Sequence, residues 1–189
     1  MRYLILILIF ASCSTIPRKQ EPTVTEPVIL STTPKPVGKL TGLVTFKCDT
    51  TCKPSEVAKV LEAEKKIQEV VSSQCFKDFM LSRPMIETNN RTSSEVYSHV
   101  SNLSGLVGVS MYFKRWTSAI AYRNPPSLKI NLNRNYFTAS KSVCDWASTM
   151  AHEGIAHALG NYTHSYYPTK DRQYSVPYSL NASFDSCCK

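Results

Sequence analysis

Cysteine is the residue that most limits what this chain can become. Seven are spread over 189 residues, at Cys13, Cys48, Cys52, Cys75, Cys144, Cys187 and Cys188, and no two have the spacing C-x-x-C. A cytosolic metal knuckle needs that spacing, so the count points instead to an oxidising compartment and a core stapled by disulfides. An odd number leaves one thiol over, and the N-terminus accounts for it. Arg2 precedes an apolar run from Tyr3 to Phe10. That run falls short of the roughly 20 residues needed to span a bilayer, and it fits the apolar segment of a secretory signal.

Ala11-Ser12-Cys13 follows the apolar run directly. It resembles the lipobox of bacterial lipoproteins, in which small residues precede the cysteine that is lipidated and becomes the mature N-terminus. The resemblance implies a signal peptide over residues 1–12, a lipid on Cys13 and attachment to a membrane through it. The protein would then sit in the bacterial cell envelope, on its periplasmic or cell-surface face; a plain secretory signal and a secreted product are the alternative. The six remaining cysteines can form three disulfides in any of 15 pairings. Residues 13–39 carry Pro17, Pro22, Pro27, Pro34 and Pro36 among Thr, Ser, Lys and Glu. Such a segment buries too little apolar surface to offset its ordering entropy, and proline keeps it extended, so it reads as a tether to a domain over residues 40–189.

Hydrophobic residues make up 42% of the chain and aromatics 10%, enough for one core of that length and no second domain. Leu43 to Cys48 has the β-branched and aromatic character of a strand. Pro54 suits a first helical turn, and from Ser55 to Cys75 the residues Val57, Val60, Leu61, Ile67, Val70 and Val71 recur at helical spacing. Pro84 to Thr88 reads as a second strand and Leu106 to Lys114, with alternating Val107, Val109, Met111 and Phe113, as a third. A short strand from Ala119 to Arg123 stops at Pro125 and Pro126, as an edge strand should. Leu128, Ile130 and Leu132 alternate in a fifth. Ser140 or Ser142 can then cap a helix running through Trp146, Met150 and Ile155 to a stop at Gly160. The net charge of +8 suits an anionic envelope surface or acidic substrates. No array of aromatics and arginines suggests nucleic acid as a partner.

Three of the four histidines lie within thirteen residues, His152, His157 and His164, and Glu153 adjoins the first. Clustered imidazoles are natural ligands for Zn²⁺, which in catalytic sites keeps a position open for water. Such an ion brings the pKa of its water towards about 7, and a neighbouring carboxylate can take the proton, which assigns Glu153 as general base. The remaining histidine, His99, reads as structural or exposed, and Tyr162, Tyr166 and Tyr167 as packing or cleft-wall residues.

The stretch Ala151-His152-Glu153, then His157-Ala158-Leu159-Gly160 and His164, resembles the zinc signature of the metzincin metalloproteases, H-E-x-x-H-x-x-G-x-x-H. Two departures stand out: three residues separate Glu153 from His157 where the family has two, and three separate Gly160 from His164. Five residues along an ideal α-helix, at about 100° each, leave His152 and His157 about 140° apart, too far to share a metal. A one-residue π-bulge, with Gly154 at the permissive position, would bring them together. The spacing H-E-x-x-x-H also occurs in zinc peptidases resembling dipeptidyl peptidase III. The resemblance implies an α+β zincin-like domain: a twisted, mostly parallel five-stranded sheet with an antiparallel edge strand, two main helices and disulfide bridges. It implies a zinc endopeptidase with His152, His157 and His164 as ligands and a peptide or protein substrate laid along the edge strand. Asp171 is the alternative third ligand. Tyr174 to Ser179 resembles the family's tight turn beneath the metal with Pro177 in place of Met, which offers Tyr178 as a further ligand or an oxyanion donor. A hydrolytically impaired binding module and a structural envelope lipoprotein remain as the competing functions.

Overall fold

The computed structural model describes residues 43–115, 120–138, 140–165 and 169–189. The expectations for the signal, for Cys13 and for the tether lie outside the described residues. Strand β1 (Val44–Cys48) leads into helix α1 (Pro54–Val71), which starts where Pro54 can occupy the first turn and the Lys53 N–H donates to Glu56 Oε2 at 2.7 Å. The apolar face of α1 buries Val60, Ala63, Ile67, Val70 and Val71 against the sheet and the later helices. Full burial of a Val or Ile contributes about 1.5–3 kcal/mol, so this face alone holds α1 in place. The opposite face carries its Lys and Glu in i,i+3 pairs, Lys59 with Glu62 and Lys66 with Glu69, a solvated surface.

The sheet has four strands in the order β1-β2-β4-β3, with β2 at Gly105–Tyr112, β3 at Ala121–Arg123 and β4 at Lys129–Asn133. The first three in that order are parallel, with Phe46 opposite Val107 and Val109 opposite Ile130; β3 is the antiparallel edge, with Ala121 opposite Leu132. Val107, Val109, Ile130 and Leu132 all point to the helix side and are fully buried, as the alternation predicts. The two outer edges differ. Glu64 of α1 accepts the Phe46 N–H at 2.7 Å and so covers the β1 edge, whereas β3 pairs with β4 alone among the described residues.

Five strands and two main helices are not what forms. Pro84 to Thr88 stays outside the sheet: the Ile86 N–H donates to Tyr174 at 3.0 Å, one bridge links Ile86 to Ser175, and the chain then turns. Glu87, Asn89 and Asn90 take φ values of 53°, 54° and 62°, left-handed geometry that cannot continue a strand. The helix read as Ser55 to Cys75 ends at Val71, and Ser73 caps a separate α2 (Gln74–Ser82). Two more helices escaped the reading, α3 (Ser93–Asn102) and α5 (Val176–Cys187). Between them comes α4 (Val143–Met150), capped by Ser142, which accepts the Asp145 N–H at 3.1 Å.

Of the possible pairings, the disulfides are Cys48–Cys52, Cys75–Cys187 and Cys144–Cys188. The adjacent Cys187 and Cys188 thus fasten the end of α5 to the starts of both α2 and α4. Cross-linking restricts the unfolded chain more when the closed loop is longer. Replacing Cys75 and Cys187, separated by 112 residues, with Ser should therefore cost about 2–5 kcal/mol. Replacing Cys48 and Cys52, separated by 4, should cost clearly less in the same non-reducing denaturant titration. An equal or larger loss from the short loop would contradict this ordering.

Candidate metal centre

Immediately after α4 the helix widens. Ala151–Leu159 is π-helical throughout, a longer departure than the single bulge expected, and its end is marked by the Gly160 N–H donating to the Ile155 carbonyl at 2.8 Å. Hydrogen bonding from i to i+5 puts residues five apart on one side of the helix. His152 and His157 therefore converge, with Nε2 atoms 3.3 Å apart, and the chain beyond Asn161 returns His164 so that its Nε2 lies 3.3 Å from that of His152. Gly154 serves this arrangement by close approach. A Cβ there would sit 2.5 Å from Phe46 Cε1, so its absence lets the helix lie directly on β1. Gly160 is likewise needed for space, not for a left-handed turn: a Cβ would meet Tyr162 Cδ2 at 2.8 Å, and it is Asn161 that takes positive φ, at 52°.

The three rings offer nitrogens that all lie within 4.8 Å of one another. Ligands about 2.0–2.1 Å from a shared tetrahedral centre are about 3.3–3.4 Å apart, and the separations of His152 from His157 and from His164 have that value. Two of the three outer nitrogens are also provided for. His157 Nδ1 donates to the Tyr162 carbonyl at 2.6 Å and His164 Nδ1 to the Ser165 carbonyl at 3.0 Å, which leaves both Nε2 lone pairs facing the centre. The buried His152 Nδ1 has no hydrogen-bond partner among the described residues. Burial holds His152 well below its ordinary value and pushes His157 down to about 4, so these two rings are neutral, the form that binds metal. Asp171 is exposed and is not part of the group.

Glu153 adjoins His152 in the chain and is half-buried. Burial pushes its carboxyl up to about 7, opposed by the Arg123 guanidinium on β3. Arg123 also donates from Nη1 to the His157 carbonyl at 2.5 Å and from Nε to Ser127 at 2.9 Å, tying the edge strand to the metal helix. Tyr178 stands on the other side, its ring 5.0 Å from those of both His152 and His164, with Arg172 4.7 Å over its face. The segment expected as a tight turn is instead a 3₁₀ turn (Arg172–Tyr174) leading into α5, with Pro177 in its first turn. Tyr166 and Tyr167 lie outside the described residues. Arg123 and the pairing of His99 with Tyr162 were not singled out in the sequence, where a lone Arg on an edge strand and a lone His on a helix carry no signal.

No protein family, curated protein or solved structure is matched by this chain.

Two outcomes follow from this geometry. Gly154→Ala must push Phe46 or the helix aside, so it should lower stability by about 1–3 kcal/mol and weaken metal binding in an isothermal titration. In the metal-free protein, protonated Glu153 stabilises the fold fully below its ordinary value of 4.5, and that contribution is lost as pH rises to about 7. His157 runs the opposite way, its stabilisation being lost as pH falls from 6.5 towards 4. Glu153→Gln removes only the first effect. Its metal-free stability should rise between pH 4.5 and 7 more steeply than the wild type's, by on the order of 3 kcal/mol in urea unfolding.

Proposed function

We propose that the protein is a zinc-dependent endopeptidase in which His152, His157 and His164 hold Zn²⁺ and Glu153 is the general base. The observation that carries this reading is the convergence of three imidazoles, two of them held neutral by burial on a helix that also carries Glu153, whose carboxyl burial pushes up to about 7. Zinc held there supplies a Lewis acid for the scissile carbonyl and a water acidified to near-neutral pH. The protein's own groups do the rest. Glu153, with its affinity for a proton raised by burial, takes the proton of the attacking water and passes it to the leaving amine. Tyr178, whose ring packs against those of His152 and His164, would donate its phenol O–H to the developing oxyanion.

The edge of β3, which pairs with β4 alone among the described residues, supports a peptide substrate bound as an added strand, because main-chain groups there can pair with an extended chain while Arg123 ties that strand to the histidine-bearing helix. The metzincin resemblance of the motif agrees with this reading, as does the mostly parallel sheet ending in a short antiparallel strand. Anchorage through a lipid on Cys13, which would hold the domain at a bacterial envelope surface on its proline-rich tether, is part of the proposal and rests on the sequence of residues 1–39.

Purified protein should carry close to one zinc per chain by elemental analysis and should cleave casein or a peptide library. Glu153→Gln should keep the metal and lose about 10²–10⁴-fold in kcat/KM. Zinc without turnover, and no change on Glu153→Gln, would make the domain a binding or structural module. A wild type with no stoichiometric zinc would overturn the reading.

A further inference from the structure

Tyr162 is only 1% exposed and occupies two positions of consequence at once. Its backbone carbonyl accepts the His157 Nδ1–H at 2.6 Å and so orients the ring whose Nε2 faces the cluster. Its phenol oxygen lies 2.8 Å from Nδ1 of His99 on α3, with the two rings edge to face at 5.6 Å. The same turn is held from a third side by the loop between α2 and α3. Asn89 donates to the Asn161 carbonyl at 3.2 Å, and the Arg91 guanidinium stands 5.7 Å over the Tyr162 ring.

This bracing matters because the metal helix ends in hydrogen bonds wider than an α turn. The Gly160 N–H reaches back to Ile155, and the Tyr162 N–H reaches back six residues to Ala156 at 2.9 Å. A π-helix is rare in water, and relaxation to the α register would carry His152 and His157 about 140° apart. The last turn of the segment therefore needs support from outside the helix, and Arg123 at the His157 carbonyl, Asn89 at the Asn161 carbonyl and the Tyr162 side chain supply it.

We propose that His99 and Tyr162 form a positioning brace that holds the end of the π-helical segment in register, and with it His157, and so sets the affinity of the three-histidine centre. The brace rests on the reading of that centre as a metal site. His99 touches neither metal nor substrate; it acts through the Tyr162 phenol and carbonyl on the ligand ring. Tyr162→Phe removes only the hydroxyl, which also faces Arg91, and His99→Leu removes the imidazole partner alone. His99→Gln restores an amide able to bond the phenol.

The experiment uses the disulfide-bonded protein and reads zinc affinity by chelator competition together with the visible spectrum of the Co²⁺-substituted form. Tyr162→Phe and His99→Leu should each weaken zinc about tenfold and alter the cobalt bands, while His99→Gln should recover most of the affinity and the wild-type spectrum. A general loss of packing would not be rescued by Gln. Should Tyr162→Phe fail to fold, the half-buried His99 position carries the comparison through Leu against Gln. Wild-type affinity and spectrum in His99→Leu, or equal defects in His99→Leu and His99→Gln, would overturn the brace while leaving the zinc centre intact. A wild type that binds no zinc would remove the centre and the brace together.

Discussion

Between Ala151 and Leu159 the backbone winds in the wider π register, and the approach of His152 to His157 exists only because of it. An α-helix over the same residues would point the two rings in different directions. The π register is not something a nine-residue segment sustains by itself, since each wider turn packs its own backbone less well. Here it is held by what surrounds it. Phe46 and Val107 of the sheet press on the gap left by Gly154, Arg123 takes the His157 carbonyl, and α5 covers the opposite side. The five-residue spacing of His152 and His157 is thus accommodated by the helix geometry and stabilised by tertiary contact.

Electrostatics follows the same plan. Packing the segment between sheet and α5 removes water from His152, His157 and Glu153 together, and the same desolvation keeps the imidazoles uncharged and the carboxyl easily protonated. Neutral bases and a carboxyl near neutrality are what a divalent ion and a proton transfer require. The cost of burying polar groups is limited by pairing the outer nitrogens of His157 and His164 with main-chain carbonyls, those of Tyr162 and Ser165. The disulfides from Cys187 and Cys188 add rigidity where it is needed, because they fix α5 against α2 and against the start of α4, which runs directly into the metal segment.

Legibility varied with the physical scale of the signal. Strands β1, β2, β3 and β4, helix α1 and the Ser142 start of α4 stand where alternation, periodicity and capping residues put them, because those signals depend on neighbours a few residues apart. Two of the missed helices had local signals as well. Thr92 and Glu95 form a reciprocal cap, the Glu95 N–H donating to Thr92 Oγ1 at 3.3 Å, ahead of Val96 and Val100. Val176, Leu180 and Phe184 repeat every four residues and are all buried. The strand read at Pro84 to Thr88 failed for the opposite reason: its apolar content is real, but Ile86 bonds to Tyr174, a residue far away in sequence. At the site, the histidines and Glu153 were visible as a cluster, whereas Arg123 and His99 became meaningful only through partners 34 and 63 residues away.

Taken alone, the sequence determined the chemistry on offer: three imidazoles and a carboxyl within thirteen residues, six cysteines in the domain, and the β and α periodicities of the core. Those properties belong to residue types and short spacings, which no later folding step alters. Whether the imidazoles meet, which cysteines pair and which edge of the sheet stays open were decided by tertiary structure. Each depends on elements distant in the chain pressing on one another: Phe46 against Gly154, α5 against α2 and α4, and Glu64 over the β1 edge. A helix can choose a wider register only when its surroundings make that register the better packed one, and those surroundings come from the whole fold.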